Sequence, residues 1–132
     1  MDGDEMNEKQ PNVMFKLNIL EQQIKNVNAQ IDSVERTMAD LDSLKIDLDE
    51  LKGSKEKEIM ALIGRGIFIK AKIISEDLMV DVGGGRFVKK DVSETKGIIT
   101  EQIEKLEKVK DELNESLMGI NEELNKTVMD EQ

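Results

Sequence analysis

Cysteine and histidine are both missing from this 132-residue chain. Their absence excludes disulfides, thiolate chemistry, Ser–His–Asp and Cys–His arrangements, and the usual zinc ligand sets. Tryptophan and tyrosine are missing too, and three phenylalanines are the whole aromatic complement. So few large rings do not build a globular core of ordinary size. The longest uninterrupted apolar run is Ile59 to Ile63, far short of a membrane span. The first ten residues are acidic and polar, without the basic and apolar regions of a secretory signal. Soluble, cytoplasmic residence is expected. Positive charge is scarce: the net charge is −10, which disfavours nucleic acid and anionic membrane, both polyanions, as partners.

What the chain has is charge and period. Charged residues make up 36% of it, a profile of long solvated helices. Leu17, Leu20, Ile24, Val27, Ile31, Val34, Met38 and Leu41 step by 3 and 4 in turn, and so do Ile99, Ile103, Leu106, Lys110, Leu113, Leu117, Ile120 and Leu124. Each row forms a narrow stripe that is buried only against a helix of the same kind. Folding back into an antiparallel pair buries both. Pro11-Asn12 predicts the first helix start, after a disordered tail over 1–12, and Gly53-Ser54 its end, giving a helix over 13–52. Two successive steps of 3, from Met38 to Leu41 to Leu44, predict a local overwinding or a shift of the seam at Lys45. Asp91 and Glu94 carry the spacing of a capping box and open a second helix over 91–129, with Gly97 a weak point in its first turns.

Between the helices the period changes to two. Ile67, Ile69, Ala71 and Ile73 alternate with Phe68, Lys70 and Lys72, and Leu78, Val80 and Val82 alternate with Met79 and Asp81. With turns at Gly64-Arg65-Gly66, Ser75-Glu76-Asp77 and Gly83-Gly84-Gly85, the stretch 55–90 predicts two β-hairpins. Residues 54–91 carry eight Lys/Arg against six Asp/Glu, and the remainder eleven against twenty-three. The strand block is therefore net positive by two, and the rest of the chain net negative by twelve. A lone two-stranded hairpin is marginal in water, and the helical stripes are occupied with each other. An uncovered apolar face and open edges are left, and these are usually interfaces. Ile67, Phe68, Ile69, Ile73, Leu78, Val80, Val82 and Phe87 are the expected oligomerisation positions.

The stretch from Gly64 to Ile73, followed by that from Leu78 to Lys90, resembles the double hairpin of alpha-class prefoldin subunits of the archaeal type. It sits between two coiled-coil arms, as in that family. The resemblance implies a mainly α fold with a small β block, in which a long antiparallel coiled coil is joined by hairpins that assemble into an oligomeric β body. It implies a hexamer of two alpha-class and four beta-class subunits, without nucleotide or other cofactor. It further implies a chaperone that holds unfolded polypeptides at the arm tips and passes them to a group II chaperonin. The tips would unite the start of the first helix (Val13, Met14, Phe15, Leu17) with the end of the second (Leu117, Met118, Ile120, Leu124, Val128, Met129). Leu17, Leu117, Ile120 and Leu124 also fit the seam; Met14, Phe15, Met118 and Met129 lie off it and favour client contact, methionine suiting surfaces that accept many shapes.

Other signals are weak. Asp47-x-Asp49 and Glu58 mimic a calcium loop, but Leu51 and Lys52 stand where an oxygen ligand and a glycine are needed. No helix follows the glycine triplet within a turn and no Gly-Lys-Ser/Thr appears, so a turn is favoured over a phosphate cradle. An enzyme needs convergent polar groups in a pocket, which thin helices and hairpins do not offer. Two competing readings keep the fold and change the role: a homo-oligomer or filament built through open hairpin edges, and a plain coiled-coil scaffold.

Overall fold

The computed structural model describes the backbone of residues 2–130 and the side chains of residues 12–130. Six elements follow one another: α1 (Asp2–Glu50), β1 (Glu58–Gly64), β2 (Ile67–Lys72), β3 (Leu78–Asp81), β4 (Phe87–Lys90) and α2 (Val92–Asp130). They divide into two compact units, Met1–Thr37 with Lys105–Gln132, and Met38–Glu104. Both helices contribute to both units, so the division crosses each helix and does not mark two sequence domains.

Helix α1 starts earlier than the sequence predicts. Its first residue is Asp2, so the tail expected over 1–12 falls, from Asp2 onward, inside the helix. Glu5, Met6, Glu8, Lys9 and Gln10 are all good helix formers, and Pro11 removes a backbone donor without ending the helix. The other end lies close to the prediction. After Glu50 the chain tightens through Leu51 N to Leu48 O (3.1 Å) and Lys52 N to Asp49 O (3.2 Å), the three-residue bonds that often close a helix. Gly53 then takes φ +76°, a left-handed conformation that glycine adopts without penalty.

In the first unit the helical segments run antiparallel: Lys16 pairs with Glu123 at 3.3 Å and Glu35 with Lys110 at 3.3 Å, so rising numbers on α1 meet falling numbers on α2. Leu20 and Ile31 are buried, and Thr127 closes the row with its hydroxyl donating to the Glu123 carbonyl at 2.8 Å. Lys110, a polar residue at an apolar position, is half-buried and satisfied by Glu35.

The second unit holds the densest packing. Leu48, Val92 and Ile99 are buried together, with Leu41, Leu51, Leu78 and Ile103 against them. Here the expectation of a shifted seam fails. Leu44 is exposed at 44%, whereas Lys45 is half-buried and Leu48 buried. Steps of 4 and 3 therefore alternate unbroken along α1 from Val13 to Lys45 and Leu48. The four-carbon stem of lysine covers apolar surface while its ammonium stays in water, so the heptad continues through a charged residue and Leu44 lies beside it. Asp91 caps α2, its Oδ1 accepting from Glu94 N at 2.7 Å. The Glu94 side chain turns to Lys90 at 3.7 Å, so only half of the capping box forms.

The strands make two separate two-stranded antiparallel sheets, β1–β2 and β3–β4. In the first, Glu58 faces Lys72, Ile59 faces Ala71, Met60 faces Lys70, Ala61 faces Ile69 and Leu62 faces Phe68, and a bulge lies between Leu62 and Gly64. The turn is the pair Arg65-Gly66, both with positive φ (48° and 78°), the geometry that matches the twist of a tight hairpin. In the second, Leu78 faces Lys90, Met79 faces Lys89, Val80 faces Val88 and Asp81 faces Phe87.

Two substitutions separate the observed seam from the shifted one. Leu48→Ala should cost about 2–4 kcal/mol, while Leu44→Ala should stay within about 0.5 kcal/mol of wild type, both read from urea unfolding. Equal costs would mean that Leu44 belongs to the seam. Gly97 lies in open space without positive φ, so Gly97→Ala should stabilise by about 0.5–1 kcal/mol in the same assay.

Candidate interaction surfaces

Antiparallel register puts directly opposed residues on one face, which defines what each hairpin presents. One face of β1–β2 carries Ile59, Ala61, Ile69 and Ala71; the other carries Met60, Leu62, Phe68 and Lys70. Both are open: Ile69 is 54% exposed, Phe68 53%, Leu62 63%. The sequence pattern pointed to a single apolar face on β2, but its other face is apolar too. The reason lies on β1, where Met60 and Leu62 stand beside Phe68. Alternation read on one strand does not show what its partner adds.

The second hairpin is less exposed. Leu78 packs on Leu48, Val92 and Ile99, and Val80 is half-buried. The expectation that the helices leave this block wholly uncovered is therefore corrected at Leu78, which the chain's own helices partly seal. Ile73 is half-buried as well, while Ile67, Val82 and Phe87 stay exposed. Met60, Leu62, Ile63, Ile74, Met79 and Val88 are further exposed apolar residues of this region that sequence reasoning did not select. The Ile59–Ile63 run was the signal for the first three.

A second set of exposed apolar side chains lies on the helix segments of the first unit. Met14, Phe15, Met118 and Met129 are strongly exposed and Val128 less so; Val13, Leu17, Leu117, Ile120 and Leu124 are half-buried in the seam. The off-seam positions are thus the open ones, and the Lys16–Glu123 pair joins the two helices among them.

Ion pairs fasten the second unit. Lys96 Nζ reaches both oxygens of Asp49, at 2.8 and 2.9 Å, and its hydrogen bond holds the Asp49 carboxyl below its ordinary value despite some desolvation. Lys89, with Ser75 assisting, lowers Asp77 in the same way. The Glu76 carboxylate accepts from the Gly53 backbone N–H, joining the inter-hairpin link to the end of α1. Among the described residues no cluster of acidic groups is placed to hold a metal ion, and no helix is long and apolar enough to cross a membrane. The concavities are open grooves, such as the one lined by Asp81, Val82, Gly83, Ile98 and Gln102.

Coiled-coil helices around two separate hairpins are the features by which the sequence resembles one family, and the family model described as prefoldin subunit matches residues 20–132. The chain belongs to the prefoldin family. It is an alpha-class subunit of the archaeal type. It is 30% identical over 111 residues to prefoldin subunit alpha of Methanobrevibacter smithii, covering 83% of this chain and 76% of that protein. It is 40% identical over 103 residues to prefoldin subunit alpha of Thermoplasma acidophilum, covering 74% of each. Its fold is similar to that of a filamentous prefoldin chain from Methanocaldococcus jannaschii, with a TM-score of 0.79 at 19% identity, over 87% of this chain and 97% of that one. In this prefoldin subunit, then, the helices and the hairpins each expose apolar surface.

The Asp49–Lys96 contact predicts a pH effect. A carboxyl whose folded pKa is lowered adds stability above its unfolded pKa and loses it as pH falls through the folded value. Asp49→Asn should therefore be less stable than wild type in urea at neutral pH and equal to it in strong acid. A gap that persists in strong acid would show that the contact is not electrostatic.

Proposed function

We propose that this chain is a subunit of an ATP-independent holdase. In this reading it assembles through its hairpins with beta-class prefoldin subunits, two alpha with four beta, and captures unfolded polypeptides at the paired helix termini. It then passes them to a group II chaperonin. The observation that carries the proposal is the exposure of Met14, Phe15, Met118 and Met129 beside a seam that is already complete without them. A coiled-coil scaffold has no need of that surplus.

The grip is collective. Each exposed side chain buried against a client is worth about 1.5–3 kcal/mol at most, too little for stable capture alone. Several arms acting on one client raise the effective concentration of the remaining contacts. Unbranched thioethers adapt to varied surfaces. Release then needs only the loss of a few weak contacts, which agrees with a mechanism that uses no nucleotide.

Assembly rests on the hairpins. Ile67, Phe68, Ile69, Val82 and Phe87 are open, and each two-stranded sheet leaves both strands with a free edge, so partner strands can extend the ladder while covering the faces. The same free edges favour a second reading, in which copies of this chain pair with one another as a homo-oligomer or filament. Native mass measurement of the chain alone and mixed with a beta-class subunit separates the two: a defined hetero-hexamer only in the mixture supports the first, and a ladder of homo-oligomers unchanged by the partner supports the second.

Removing residues 1–16 and 118–132 should abolish suppression of client aggregation and leave assembly intact, as followed by light scattering and native mass. Suppression that survives the truncation refutes capture at the helix termini. Phe68→Asp should do the reverse. It should break assembly while circular dichroism retains the helical signal, because it buries a charge in the partner-covered face; an intact hexamer would exclude that face from the interface.

A further inference from the structure

The exposed methionines differ in kind from the other apolar residues, because a thioether can be oxidised where leucine or valine cannot. Met14, Met118 and Met129 are 62%, 65% and 71% exposed. All three lie in the same compact unit, on the helix segments joined by Lys16–Glu123. Met14 precedes Lys16 by two residues; Met118 lies five residues before Glu123 and Met129 six after it, about 7 and 9 Å along the helix in opposite directions. By contrast, Met38 is half-buried in the seam. Met60 and Met79 sit on the hairpins, which the assembly proposed above covers.

We propose that Met14, Met118 and Met129 are oxidation sites whose conversion to methionine sulfoxide reversibly lowers client binding. The inference rests on the proposed capture at the helix termini. The oxidant is a peroxide. The sulfur lone pair attacks one peroxide oxygen, an S–O bond forms as the O–O bond breaks, the thioether is oxidised to the sulfoxide, and hydrogen peroxide is reduced to water. Each event adds one oxygen and turns a flexible apolar side chain into a polar one. A surface that binds by several weak apolar contacts is sensitive to such a change, because losing one contact lowers the effective grip of the others. The backbone around Met14 and Met118 is already hydrogen-bonded within its helix and Met129 lies in the last turn of α2, so the sulfoxide oxygen disturbs binding without unfolding the helix that carries it. Methionine sulfoxide reductases, one for each epimer, reverse the change.

The test uses the assembled complex with its beta-class partner, treated with graded hydrogen peroxide. Peptide mass mapping should show Met14, Met118 and Met129 gaining oxygen before Met38, Met60 and Met79. Several-fold more treated complex should be needed for half-maximal suppression of client aggregation, and treatment with both reductases should restore the original requirement. The triple variant Met14→Leu, Met118→Leu, Met129→Leu, assembled with the same partner and compared with its own untreated sample, should lose much less. The inference is overturned if the triple variant loses the same proportion, if Met60 or Met79 oxidises first, or if the three sites oxidise with no change in suppression. An untreated wild-type complex that suppresses nothing overturns the proposed function together with this inference, so the sample without oxidant tells the two failures apart.

Discussion

The structure depends on two apolar rows of matched period that bury each other. Each row is one residue wide, so it has a single possible cover, the other row. Leu20 and Ile31 in one unit and Leu48, Val92 and Ile99 in the other are the buried residues that result. Period matters more than chemistry here. Lys45 and Lys110 hold seam positions because a lysine stem can be covered while its ammonium reaches water or a carboxylate, whereas Leu44, fully apolar but one residue out of step, stays exposed. Because the rows occupy each other, little helical surface is left to cover the strands. Where the second hairpin meets the seam, at Leu78, the chain covers part of its own sheet. Much of the remaining strand surface stays exposed.

The features that the sequence displayed most clearly were those governed by local period. The heptad rows, the four strands and the Asp91 cap all stand where spacing and residue type put them. Two misreadings turn on what lies across space and not along the chain, and a third, at Pro11, is local. Leu44 looked like a seam residue because leucine is apolar, yet the antiparallel neighbour decides which side chains are covered. Met60 and Leu62 were passed over because only the pairing of β1 with β2 puts them on one face with Phe68. Pro11 looked like a helix start because proline favours the first turn, but strong helix formers on its N-terminal side carry α1 back to Asp2. The off-seam residues at the helix termini were legible for the opposite reason: in a coiled coil, position within the heptad alone separates Met14 and Met118 from Leu17 and Leu117.

Two kinds of exposed apolar surface therefore coexist in one short chain, and their backbones divide the work. On the hairpins, Ile67 and Ile69 are β-branched and stiff at χ1, Phe68 and Phe87 are aromatic, and all are flanked by unpaired strand edges whose N–H and C=O groups take partners in fixed positions. Directional hydrogen bonds select a register, and a selected register selects a particular neighbour. Within the helices every interior N–H and C=O is already bonded inside the helix, so Met14, Phe15 and Met118 offer side chains only. Contacts made solely by adaptable apolar groups carry no register and discriminate little between sequences. The proposed function, joining one assembly while accepting many unfolded chains, draws on both properties at once. Under that proposal, strand edges supply specificity for the first task, and the methionine-bearing helix termini supply tolerance for the second.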